Sequence, residues 1–220
     1  DSSRHALDAK EQVNDISFVS SGLAGQAPLF RSRLQNHISF GSHESLESTP
    51  GSQIVIDLWY LTFDAVLPKR LMLVTQETLC RGYAILVSQS GMGSSHHTTY
   101  GRLSHSEAPG RGCGDDSPHN LSRRFYYHAS SATWNHVALS IDRQTGVMNL
   151  WTNGEVQDDI LPPEDEVASQ TYAQGAAFQL GFPFGSEDPF DGLMDEVRVH
   201  RGARRPSWFR FQPEIGRDRY

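Results

Sequence analysis

The sequence predicts an all-β fold in which two antiparallel sheets stack as a sandwich, and three stretches carry that prediction. Gln53 to Phe63 places Ile54, Ile56, Leu58 and Tyr60 on one face and Val55, Asp57, Trp59 and Leu61 on the other, the period of two that a strand imposes. Trp134 to Asp142 alternates His136, Ala138, Ser140 and Asp142 with Val137, Leu139 and Ile141, and Val147 to Thr152 returns antiparallel after a turn over residues 142–146. Phe190 to Val199 reads as a late strand, with Leu193, Val197 and Val199 on one side and Met194, Glu196 and Arg198 on the other. Gly192 stands at its start, where backbones can approach closely.

Taken in order, residues 1–15 are polar without a strand pattern and read as an arm or a short helical lead-in. Ile16 to Val19, Ala27 to Phe30 and His37 to Phe40 read as short strands, and residues 42–52 as a turn region around Pro50-Gly51. Both faces of the 53–63 run are largely apolar, so that strand belongs in the middle of a sheet with cover on both sides. Asp57 is its exception, either a satisfied buried acid or a site residue. Leu71 to Val74 and Tyr83 to Val87 form a further pair. Residues 88–124, rich in Ser, Gly, His, Pro and Asp, read as a long loop. Asn153-Gly154 turns the chain into Glu155 to Gln174, which carries six acids and no base and forms an acidic rim. Phe178 to Gly181 adds a strand, and Ser207-Trp208-Phe209 starts a helical turn whose aromatics pack on the body. The domain division is therefore an arm (1–15), a sandwich (16–200) and a basic tail (201–220) lying back on it.

Three of these segments together resemble the laminin-G-like, or concanavalin A-like, jelly-roll family. They are Thr133-Trp134-Asn135-His136-Val137-Ala138, the strand and turn ending in Asn153-Gly154, and Phe190-Asp191-Gly192-Leu193-Met194-Asp195-Glu196-Val197-Arg198-Val199. The N-terminal half matches more loosely and has Phe30-Arg31-Ser32 where many relatives show F-D-G. The resemblance implies a jelly-roll sandwich, and it implies a structural calcium near the closing segment, held by Asp195 with Asp191 as helper. The alternative for Asp195 is capping of backbone N–H groups at the strand start. Either way, carboxylates inside a strand need backbone N–H groups, an arginine or a cation as partners.

The net charge of -7 is unevenly spread: residues 201–220 hold six arginines against Glu214 and Asp218, so the tail is +4 and the rest -11. The tail either lies on the acidic body or docks an anionic partner. Nucleic acid is excluded, because the body repels phosphate and no recognition motif accompanies the arginines. No run of 18 apolar residues exists, so no membrane span is expected. The chain starts with Asp1 and shows no apolar leader at that end. Cys80 and Cys113 are too few for a zinc cage and too far apart for a redox pair. They read as a disulfide, worth roughly 3 to 4 kcal/mol in the chain-entropy model, or as two unrelated buried thiols. A disulfide fits an extracellular, periplasmic or other exported compartment. Asn120-Leu121-Ser122 is a glycosylation sequon on an expected surface loop.

Catalytic motifs are missing. A retaining glycoside hydrolase of this fold needs two carboxylates about 5 to 5.5 Å apart, usually from E-x-D-x-E on one strand. Here Asp195 and Glu196 are adjacent and point apart, and Glu164-Asp165-Glu166 lies among Pro and polar residues. No G-x-S-x-G, H-E-x-x-H or phosphate-cradling loop occurs. His96-His97, His105 and His119 read as a solvated loop rather than a metal cluster. What remains is a non-catalytic binding or adhesion module for a glycan or protein partner, or a structural subunit of a larger assembly contacting it through arm and tail. Trp151, flanked by Asn149 and Asn153, is the candidate glycan platform, with a core tryptophan as the alternative.

Overall fold

The structure, a computed structural model, describes residues 11–13, 16–23, 25–63, 71–78, 81–89, 96–104, 120–130, 132–156, 175–182 and 188–217. Among these the strands run, in chain order, β1 (Glu11–Val13), β2 (Ser17–Gly22), β3 (Gly25–Phe30), β4 (His37–Ser39), β5 (Gln53–Thr62), β6 (Leu71–Thr78), β7 (Arg81–Gln89), β8 (His96–Ser104), β9 (Asn120–Ser130), β10 (Asn135–Asp142), β11 (Val147–Thr152), β12 (Glu155–Val156), β13 (Gln179–Leu180), β14 (Asp188–Pro189) and β15 (Gly192–Arg201). Helix α1 (Pro206–Arg217) follows. One sheet has the order β1-β4-β13-β6-β7-β8-β9, with β14 paired in parallel to β6; the other has the order β12-β11-β10-β5-β15-β3-β2. The two-sheet antiparallel sandwich expected from the sequence is the fold.

The core lies between the sheets. Ile54, Ile56, Leu58 and Tyr60 of β5 meet Val137, Leu139 and Ile141 of β10 and, from the other sheet, Leu73, Val74, Tyr83, Ile85 and Leu103. Burying each aliphatic side chain stabilises the fold by roughly 1.5–3 kcal/mol before chain entropy is subtracted. Thr99 and Thr152 share a 2.6 Å hydrogen bond from sheet to sheet, so this polar pair is satisfied inside the core. Gly101 permits the sheets to close there, since a Cβ would fall 2.5 Å from Leu139 Cδ1. β5 sits between β10 and β15, as expected of a strand covered on both faces.

Five readings need correction. The 88–124 segment is not a single loop: β8 pairs along its length with β7, and β9 pairs with β8. Asn120 accordingly opens a strand rather than standing in a loop. The arm contributes β1, which pairs with β4 through Glu11↔Ser39 and Val13↔His37. The tail's helical turn extends to a twelve-residue helix. In β15, finally, the faces do not run as simple alternation predicts. Met194 pairs with Tyr60 and Asp195 with Trp59, but Arg198 pairs with Asp57, so three residues of β15 advance against two of β5. Glu196, with φ 51°, is the site of the extra residue. Met194 therefore shares the core side with Val197 and Val199, and Leu193 does not. Cys80, Cys113, His105, His119 and the acidic 164–166 triplet lie outside the described residues.

Candidate functional site

The bulge in β15 decides what the seven-stranded sheet shows on its face away from the core. In register across β11, β10, β5 and β15 lie Trp151, Ala138, Asp57 and Arg198. The adjoining row is Asn149, Ser140, Val55 and His200, and the row on the other side has His136, Trp59 and Asp195. Four strands thus contribute polar side chains at one parity to one face.

Asp57 is the anchor of a patch on that face, with an exposure of 0%. His136 Nε2 lies 3.4 Å from its Oδ1 and His200 Nε2 3.1 Å from its Oδ2. Arg198 Nε lies 3.4 Å from Oδ1. Burial by itself raises the Asp57 carboxyl, but the hydrogen bonds from His136 and His200 and the charge of Arg198 outweigh it and hold the group below the usual carboxylate range. The far nitrogen of His200, Nδ1, lies 3.0 Å from Arg204 Nη2. A guanidinium only donates, so Nδ1 accepts and the Nε2–H faces Asp57. One buried carboxylate thereby orients a chain of groups that reaches the surface. The Arg198 side chain is 33% exposed, that of His200 is 20% exposed, and Arg204 is exposed.

Helix α1 borders the patch. Phe209 is buried and stacks on Trp151 at 4.6 Å with 9° between the planes. Trp208 is half-buried, edge-on to His200 at 5.1 Å, and the Arg204 guanidinium stands 5.9 Å from its ring. Trp208 and Phe209 therefore pack against the outer face of the sheet.

The sequence-predicted candidates fall out as follows. Asn149 and Trp151 share the outer face, yet Trp151 is only 4% exposed beneath Phe209, the core-like alternative rather than an open platform. Asn153 serves the turn: its Oδ1 accepts from His136 N at 2.9 Å and its Nδ2 donates to Asn135 Oδ1 at 3.2 Å. Asp191 takes the backbone N–H of Ser32 at 3.1 Å, the Ser32 hydroxyl at 3.0 Å and Arg31 Nη1 at 3.5 Å. Asp195 Oδ1 accepts from Glu196 N at 2.8 Å, the capping alternative. The two carboxylates serve different segments, and among the described residues no three His, Cys, Asp or Glu side chains are grouped to hold a metal ion. The Arg31 guanidinium, 3.5 Å from Asp191 Oδ1, compensates that carboxylate. Sequence reasoning singled out Asp57 but missed His136, His200, Arg198 and Trp208 as its companions; a polar residue at matching parity on each of three strands was the available signal.

The fold that carries this patch is a two-sheet antiparallel β-sandwich. The family model described as the concanavalin A-like lectin/glucanases superfamily matches residues 119–208. The matched stretch contains the 133–138 segment, the Asn153-Gly154 turn and the 190–199 closing segment that carry the resemblance in the sequence. No curated protein matches the chain. Among solved structures, the binding domain of Paraclostridial Mosquitocidal Protein 1 is similar with a TM-score of 0.70 and 14% identity, covering 96% of this chain and 48% of that one. The chain thus spans about half the length of that toxin domain. Domain 4 of AbnA, a GH43 extracellular arabinanase from Geobacillus stearothermophilus solved with arabinotriose, gives a TM-score of 0.54 and 18% identity, covering 89% and 80%. The CBM40 of the Ruminococcus gnavus IT-sialidase, bound to alpha2,3 sialyllactose, gives 0.51 and 15%, covering 92% and 97%. At these identities the likeness is one of fold. No helix of the described residues is long and apolar enough to cross a membrane.

Proposed function

We propose that this protein is a non-catalytic glycan-binding module of an exported protein, taking its ligand at the rim where β15 meets α1. The observation that carries the reading is the pre-organised chain Asp57, His200, Arg204 with Arg198 and Trp208 beside it. Oriented polar donors next to an aromatic surface are what saccharide recognition needs, and fixing them in advance lowers the entropy lost on binding. Asp57 supports the non-catalytic part: both of its oxygens are engaged and it has no exposed surface, so it cannot reach a glycosidic oxygen. Two of the similar structures were solved with bound oligosaccharides, and one of them belongs to an extracellular enzyme. The test is a glycan array probed with the full chain. Binding to a restricted set of glycans, competed by the free sugar and weakened by Trp208→Ala, is expected; silence across the array overturns the reading.

A further inference from the structure

The charge asymmetry of the sequence reappears in the structure as a local feature. Residues 201–210 contain Arg201, Arg204, Arg205 and Arg210 and no acid, while the chain as a whole is at -7. Arg201 is spent on structure, donating from its guanidinium to the carbonyls of Ser45 and Glu44. Arg204, Arg205 and Arg210 are exposed. No carboxylate pairs with any of the three among the described residues; the partner of Arg204 is the His200 ring nitrogen. Arg198, one-third exposed, shares the rim, although its charge is already divided between Asp57 and Glu196.

Uncompensated, exposed guanidinium groups within one seven-residue stretch, 204–210, of an acidic protein make a local positive field, which steers anions toward that stretch. A guanidinium offers a planar fork of donors that matches a carboxylate or sulfate with two parallel hydrogen bonds. Arg204 is already held in place by the Asp57 and His200 chain, so little of its freedom remains to be lost. The half-buried Trp208 ring beside it supplies an apolar surface against which a sugar ring can lie. From these observations we infer that Arg204 and Trp208, aided by the field of the nearby Arg205 and Arg210, recognise an acidic saccharide, one bearing carboxylate or sulfate groups. This inference rests on the glycan-binding reading and names the ligand class for it.

The experiment measures binding of the full chain to sialyllactose and to a heparin-derived oligosaccharide, with lactose and maltose as neutral counterparts. Inorganic polyphosphate and phosphatidylserine vesicles serve as non-saccharide anions. The comparison variant is Arg204→Gln/Arg205→Gln/Arg210→Gln, whose exposed positions contribute little to stability, with an unchanged melting temperature as the check on folding. The expected result is binding to an acidic saccharide that weakens by about tenfold or more in the variant and falls as salt rises. Binding of neutral sugars that ignores both salt and the three substitutions overturns the inference and leaves the glycan reading standing. Absence of binding to every saccharide overturns both. Equal binding of saccharides, polyphosphate and vesicles also overturns the inference, because it shows a generic attraction for anions.

Discussion

Asp57 is a carboxylate with no water to stabilise it, so its partners must do so. Replacing it with Asn leaves His136, His200 and Arg198 around a neutral amide; the expected cost is about 3–5 kcal/mol, read from urea unfolding. The pH dependence follows from the sign of the shift. Because the folded carboxyl is depressed below its unfolded value, its contribution is fully present above that unfolded value and is lost as pH falls through the folded one. Wild-type stability should therefore decline progressively below about pH 4, and Asp57→Asn should lack that part of the acid limb. An identical acid limb in both proteins would show that the carboxylate is not held as described. Much of this was hidden from the sequence. Asp57 is conspicuous as the one charged residue in an apolar run, but His136 and His200 are 79 and 143 positions away, and only strand order brings them to it.

At the level of elements, legibility followed side-chain chemistry. β5, β10 and β11 were readable because β-branched and aromatic residues alternate cleanly there. β8 was not, because His96-His97 and Gly101 lower the local strand signal, and what makes it a strand is the ladder on both sides. The register of β15 was unreadable for a different reason: its bulge sits on Glu196, a residue with no special preference for positive φ. Gly192, at the start of the same strand, does announce itself. Its φ is +153°, and a Cβ would stand 2.0 Å from Leu61 O and 2.8 Å from Phe190 Cζ. Gly192→Ala must therefore move β15 away from β5 or unpair its first residues. We expect a loss of more than about 2 kcal/mol, seen as a lowered urea midpoint, together with faster amide exchange at the Gly192 and Leu193 end of the ladder. A melting curve matching wild type would contradict the close approach of the two backbones.

For the molecule as a whole, α1 adds to the outer face of the seven-stranded sheet rather than to the core between the sheets. Its hold is aromatic: Phe209 on Trp151, and Trp208 against both His200 and Phe209. Phe209→Ala removes a buried ring and should cost about 3 kcal/mol if helix and sandwich unfold as one unit. The stacking also predicts an optical change, a red-shifted tryptophan emission as Trp151 meets water, while far-ultraviolet circular dichroism retains the sheet signal. Unshifted emission would place Phe209 elsewhere. The position of β5 between β10 and β15 carries one more consequence, for assembly in time. The central strand cannot acquire both neighbours until the chain beyond residue 190 is available, so ordering of this sheet is governed by distant pairings, which close slowly compared with local ones. A nascent chain halted before that segment would leave one flank of β5 bare, a natural target for a chaperone or for a second unfinished copy.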